Sequence, residues 1–302
     1  MSLFDRLVDE ALRNQKNLAP LRIVVEKELL QHDILRELSE AGLLTGLTFI
    51  GGTCLRLCYG SNRLSEDLDF AGGANFNDEK LASLARILED KLKVKYGLSV
   101  EISEPTYEIE REPGSVATWK VKIQTRPEQR DLRRQRINID ICAIPSHDPQ
   151  PMMLRNFYGV EMGTSGLILQ AQSREEIFAD KLIAFALRPN RLKHRDLWDM
   201  NWLQQQGVTL PLELVYLKLQ DRHCDWAYFL EVLSQRNQSL QNKIVADDFR
   251  SEMSRFLPAD LVSQTVSQPV FWAYLIRLVD DLCQQAIVYL SSKTIGPSNP
   301  HF

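Results

Sequence analysis

The chain has 302 residues, 44% of them hydrophobic and 25% charged, with a formal net charge of −4. That length accommodates one large or two ordinary globular domains, and the negative balance excludes a uniformly basic nucleic-acid binder. Five cysteines without a paired framework exclude a disulfide scaffold and point to core thiols in a reducing cytoplasm, while no stretch approaches the roughly eighteen apolar residues of a membrane span and the charged opening lacks a signal-peptide core.

Leu21, Val25 and Leu29, then Leu30, Ile34 and Leu38, recur at four-residue intervals in a charged background behind Pro20, and predict a helix. A strand follows at Leu47–Ile50, then the turn Gly51-Gly52 and a short helix over Thr53–Tyr59 that Gly60 ends. Next come a polar turn at Ser61–Arg63, a strand over Leu64–Phe70, a break at Gly72-Gly73 and an amphipathic helix over Asn77–Tyr96. Strands are predicted at Ser99–Glu110, Thr118–Thr125 and Arg136–Ala143, the last with strict apolar alternation up to Ile141. The polar, proline-bearing stretch Pro145–Pro151 reads as a connection, and the chain then turns helical, with a domain boundary near residue 165. Ser173 opens the next helix with a capping-box pattern to Glu176, and that helix ends near Arg188-Pro189. Further helices are expected over Lys193–Gln206, Pro211–Asp221, Trp226–Gln235, Asn242–Phe256 and Pro269–Ser291. No internal repeat or low-complexity tract is present. The pattern defines an α+β chain, a mixed-sheet domain over 1–165 followed by a mostly helical domain over 166–302.

In Leu64-Ser65-Glu66-Asp67-Leu68-Asp69-Phe70, strand alternation turns Asp67 and Asp69 to one face and Leu68 and Phe70 to the core. Two carboxylates sharing a face suit hard divalent cations, which take oxygen ligands. Arg136-Ile137-Asn138-Ile139-Asp140-Ile141 repeats the logic, and Asp140 becomes a third ligand if the two strands are neighbours. An Asp-x-Asp in a strand-like run also arises by chance. Gly51-Gly52 before a helix start suits a phosphate or serves as a tight turn. The five histidines show no metal-ligand spacing, and neither a Cys-x-x-Cys nor a Walker A lysine motif occurs.

Gly51-Gly52-Thr53-x-Leu55-Arg56 followed by Arg63-x-Ser65-Glu66-Asp67-Leu68-Asp69-Phe70 resembles the AbiEii/AbiGii toxin family of nucleotidyltransferases. The resemblance continues through Glu176-Ile177-x-Ala179-x-Lys181-Leu182-x-Ala184 and Arg195-Asp196-Leu197-Trp198-Asp199, so it runs from about residue 49 to 200. It implies a DNA polymerase β-like nucleotidyltransferase fold in which Asp67, Asp69 and Asp140 bind two Mg²⁺ ions. It further implies that Lys181 and the segment Arg195, Asp196 and Asp199 complete the nucleotide site. Gly51, Gly52, Thr53, Arg63 and Ser65 are the remaining nucleotide-binding candidates. The implied activity is transfer of a nucleoside monophosphate from an NTP to an acceptor such as RNA or tRNA, as the toxin of a toxin–antitoxin or abortive-infection system with a cognate antitoxin.

Taken alone, Lys181 reads equally as a triphosphate contact and as a solvated helix lysine, and Arg195, Asp196 and Asp199 read as helix-surface pairs. Lys120–Arg136 holds seven Lys/Arg against two Asp/Glu and suits an RNA backbone, although Pro127–Arg134 reads nearly as well as a solvated loop. Trp119 reads as strand core. Two further readings remain open at this level: an Asp-x-Asp glycosyltransferase, which Gly51-Gly52 and Asp140 do not support, and a non-catalytic relative that binds nucleotide or antitoxin. A dehalogenase-type phosphohydrolase would need Gly-Thr or similar after the Asp-x-Asp, where Phe70-Ala71-Gly72 stands.

Overall fold

The computed structural model describes residues 2–106, 112–126, 128, 134–189 and 192–294. The far end of the strand expected over Ser99–Glu110, and most of Pro127–Arg134, lie outside the described residues. Contacts divide the chain into two compact units: the chain through Ser173 together with Ser254–Val262, and Arg174–Met253 together with the chain from Ser263 onward.

The first unit opens with α1 (Leu3–Asn14) and α2 (Arg22–Glu40), the latter preceded by a 3₁₀ turn that takes in Pro20. β1 (Thr48–Ile50) leads into a short helix, α3 (Gly51–Cys54), which widens into a π-turn over Leu55–Tyr59 and stops at left-handed Gly60. β2 (Leu68–Ala71) begins four residues later than the sequence pattern suggests. The reason lies in the preceding backbone. The Leu64 N–H donates to the Phe256 carbonyl and the Ser65 N–H to Glu28 Oε1, so groups that a strand would pair across a sheet are already satisfied elsewhere. The helix expected over Asn77–Tyr96 is also interrupted, because the Asn77 side chain caps a 3₁₀ turn over Asp78–Leu81 and α4 starts only at Leu84 (Leu84–Tyr96).

β3 (Ser99–Ser103) stops short of the strand expected over Ser99–Glu110, with residues 104–106 outside it, while β4 (Val116–Gln124) and β5 (Gln135–Cys142) match their apolar patterns, and Trp119, Val121, Ile137, Ile139 and Ile141 are fully buried. Trp119 is therefore core. Two strands went unread in the sequence, β6 (Pro149–Met153) and β7 (Ile168–Gln172). β6 is an edge strand, where prolines, which cannot donate to a ladder, are tolerated. The seven strands form one sheet in the order β3-β4-β5-β2-β1-β7-β6, with β2/β5 and β1/β7 parallel and the other pairs antiparallel. α2 packs on β5 and α4.

The second unit is helical: α5 (Arg174–Leu187), α6 (His194–Gln205), α7 (Leu212–Asp221), α8 (Trp226–Ser239), α9 (Lys243–Met253) and α11 (Pro269–Thr294), with the short α10 (Ala259–Gln264) at the crossing between the units. α5 is its centre, packed by α6, α7 and α8, and its Glu176 meets fully buried Lys218 at 2.7 Å. All five cysteines are free thiols, and no helix among the described residues is long and apolar enough to cross a membrane.

Candidate active site

The parallel pairing of β2 with β5 sets the site. Leu68 stands opposite Ile139, Asp69 opposite Asp140 and Phe70 opposite Ile141. Register partners on neighbouring strands face the same side, about 4.8 Å apart, so the two carboxylates lie side by side while their apolar neighbours enter the core. Asp67 stands just ahead of β2 rather than within it. Its Oδ1 accepts the Asn138 N–H at 3.1 Å, which ties it to β5 two residues before Asp140. On the far side of β5, Thr118 is the register partner of Asp140 and donates its hydroxyl to Asp140 Oδ1 at 2.7 Å. Thr118 and Asn138 were not singled out in the sequence; their signal is the alternation that puts them on the outward face of β4 and β5.

The glycine turn is built around the aspartate. Gly51 has φ +78°, and a Cβ there would stand 2.7 Å from Asp69 Oδ2. Only glycine combines the left-handed backbone with that close approach. Gly51→Ala is expected to cost about 1–2 kcal/mol in left-handed strain and to displace the Asp69 carboxylate, which lowers any activity that depends on it about a hundredfold. Gly42→Ala, with φ +72° and nothing within 4 Å, carries the strain alone. Equal activity losses in the two variants would refute the assignment.

The other candidates near the turn are held inward. A Cβ at Gly52 would stand 2.1 Å from Arg63 Nη2, so the buried Arg63 guanidinium lies directly against this glycine, and its Nη1 donates to the Leu64 carbonyl at 3.0 Å. The buried Thr53 hydroxyl lies 2.8 Å from Ser65 Oγ and donates to the Asp67 carbonyl. These residues shape the segment that presents Asp67. Behind it, fully buried Glu28 accepts from the Ser65 N–H at 2.9 Å, from Arg56 Nε at 3.2 Å and from the Tyr158 hydroxyl. Burial, then the neighbouring Glu28 charge, raises the Tyr158 phenol well above its ordinary range, so it stays a donor. Glu28 was not visible as a site residue in the sequence, because a lone helix glutamate has no distinguishing spacing.

In the second unit, Lys181 Nζ lies 2.7 Å from both Asp196 Oδ1 and Asp199 Oδ2, and Arg188 Nη2 lies 3.1 Å from Asp196 Oδ2. Lys181 is therefore no solvated surface lysine. Burial opposes the Asp196 charge, but Lys181, Lys193 and Arg188 outweigh it and hold that carboxyl well below the usual range. Arg195 pairs with Glu252 at 3.2 Å.

Among the described residues, no group of three or more His, Cys, Asp or Glu side chains is arranged to hold a metal ion. Asp69 and Asp140 stand side by side on one sheet face, with Asp67 just ahead of β2 and tied to β5 through the Asn138 N–H. That donor set fits Mg²⁺, which takes oxygen ligands and is ordinarily held by one or two carboxylates with substrate phosphates rather than by an all-protein cage.

The mixed sheet followed by helices is a fold shared with a solved nucleotidyltransferase toxin. MenT4, a nucleotidyltransferase toxin from Mycobacterium tuberculosis H37Rv, superposes with a TM-score of 0.50 at 20% identity over 69% of this chain and 67% of its own. Two Helicobacter pylori structures give lower scores: one 0.48, at 18% identity over 87% of this chain and 96% of its own, and the other, JHP933, 0.43, at 18% over 90% and 97%. No curated protein matches. The model of the family described as nucleotidyl transferase AbiEii toxin, type IV TA system, matches residues 33–277, and the chain belongs to that family. Membership implies an antitoxin partner.

Proposed function

We propose that this toxin is a Mg²⁺-dependent nucleotidyltransferase that moves a nucleoside monophosphate from an NTP to an RNA acceptor, tRNA in the first instance, in the cytoplasm. The observation that carries the reading is the register of Asp69 with Asp140, with Asp67 tied to the same strand through the Asn138 N–H. In the reaction, an acceptor hydroxyl oxygen bonds to the α-phosphorus as the bond to pyrophosphate breaks. Asp67 and Asp69 would hold an ion at the triphosphate, and Asp140, oriented by Thr118, one at the acceptor hydroxyl. When bound, Mg²⁺ would neutralise the carboxylates and polarise the reacting oxygens. Gly51 lets the Asp69 carboxylate come close to the backbone, and Thr53, Arg63 and Ser65 hold the Asp67 segment in place. The family resemblance assigns Lys181, Arg195, Asp196 and Asp199 to nucleotide binding as well.

The test is incubation of the protein with each α-³²P-labelled NTP, Mg²⁺ and total tRNA, with label read separately in RNA and protein and UDP-sugars as a control. Label in RNA from at least one NTP is expected. Absence of label from every fraction despite measurable NTP binding would favour a non-catalytic binder, and turnover of a UDP-sugar would favour glycosyl transfer.

A further inference from the structure

A second feature of the first unit lies along the same sheet face as the aspartates. Moving from the site along β4 and β5, the register pairs are Thr118 with Asp140, Lys120 with Asn138, and Lys122 with Arg136. Their alternate neighbours are the buried Trp119, Val121, Ile137 and Ile139, so all six residues share the outward face. At about 3.3 Å of rise per residue, Arg136 stands roughly 13 Å along the strand from Asp140.

That end of the strands opens into a groove of about 1040 Å³. Among the described residues its cations are Lys27, Lys122, Arg126, Arg134, Arg136 and Arg255, against two carboxylates, Glu26 and Glu66, in a chain whose net charge is −4. Several of the cations have internal work. Lys27 meets Glu66 at 2.7 Å, Arg126 pairs with Glu26, and Glu101 is shared by Lys122 at 2.9 Å and Arg134 at 2.6 Å. Arg136 and Arg255 are exposed and form no ion pair among the described residues. Glu66, on the groove wall, immediately precedes Asp67, so the groove borders the aspartates.

We infer that this groove carries the phosphate backbone of a single-stranded RNA end whose terminal hydroxyl lies at Asp140. The inference rests on the nucleotidyl-transfer reading for its direction, but the groove itself is defined by charge and shape. Excess cations gathered in a groove suit sequence-independent phosphate contacts, and two exposed arginines outside any ion pair among the described residues, Arg255 lying over the Phe256 ring, are available to make them. The continuous sheet face then leads the strand from the arginines to the carboxylates, with Lys120 and Asn138 between them.

The test compares the full-length protein with an Arg136→Gln/Arg255→Gln variant and a charge-matched Lys80→Gln/Lys93→Gln control. Binding of a 5′-fluorescein single-stranded oligoribonucleotide is followed by anisotropy across a salt series, without NTP or metal. The groove variant is expected to bind roughly tenfold more weakly, with its log–log salt slope reduced by about 1.4 for two lost contacts to a single strand, while the control is unchanged. Unchanged affinity and slope in the groove variant would overturn the inference. Equal binding of fluorescein-labelled poly-glutamate, weakened in parallel by the groove variant, would overturn it in favour of an acidic protein segment. If RNA binds through the groove yet is never labelled, the transfer reading fails and the groove stands. If the groove variant labels RNA at the wild-type rate, the groove assignment alone fails.

Discussion

Asp69→Asn is expected to lower nucleotidyl transfer roughly a thousandfold, equivalent to about 4 kcal/mol of transition-state stabilisation, while the protein stays folded. The carboxylate stands beside Asp140 in the β2/β5 register and against Gly51, and amide replacement preserves its shape while removing its charge and half of its oxygen-donor capacity. Without an ion, neighbouring carboxylates repel. The variant should therefore unfold at the same temperature as the parent, or slightly higher, in metal-free buffer, and the parent should gain more stability than the variant when Mg²⁺ is added. Thermal unfolding with and without Mg²⁺, alongside the labelled-transfer rate, reads both effects. A variant with a near-parental transfer rate would remove Asp69 from the chemistry.

Lys181→Met is expected to destabilise the protein by about 3–5 kcal/mol, because it removes the ammonium from two buried carboxylates. Asp199 is fully buried and Asp196 nearly so, and each lies 2.7 Å from Lys181 Nζ. Adding Asp199→Asn should recover a substantial share of the loss, since the charge left behind is what costs. The Asp196 carboxyl is held below its ordinary range, so its contribution to stability is complete above the unfolded value of about 3.9 and fades as pH falls through the lower folded value. Denaturant unfolding at neutral pH tests the variant. An unchanged midpoint would show that the cluster contributes little, and failure of Asp199→Asn to restore any stability would refute the uncompensated-charge explanation.

The α+β class and the order of the main elements were legible because β4, β5 and the helices carry clear periods of 2 and 3.6. The strand pair holding Asp69 and Asp140 was legible only as a condition, since alternation shows which way a side chain points and not which strands are neighbours. β6 was missed because an exposed edge strand with two prolines has neither the alternation nor the apolar run that marks a strand, and β7 because its five residues bury Leu169, Ala171 and Gln172 while Ile168 is exposed, which leaves too short and too mixed an apolar pattern to read. The early start assigned to β2 failed for a related reason: Leu64-Ser65 fits a strand locally, but its N–H groups are taken by Phe256 and Glu28, partners far away in sequence. In the site, Asp67, Asp69 and Asp140 stood out as carboxylates at strand spacing. The inward settings of Thr53, Arg63 and Ser65, and the support from Glu28 and Thr118, depend on tertiary hydrogen bonds that no spacing encodes.

The most direct test of the central claim compares wild-type protein with Asp140→Asn for transfer of label from α-³²P-NTP to tRNA, each in Mg²⁺ and in excess chelator. Labelled RNA is expected for the wild type in Mg²⁺ and none above background in the other three arms, with both proteins equally folded. Labelling by Asp140→Asn at the wild-type rate, or labelling that persists in chelator, would contradict that claim.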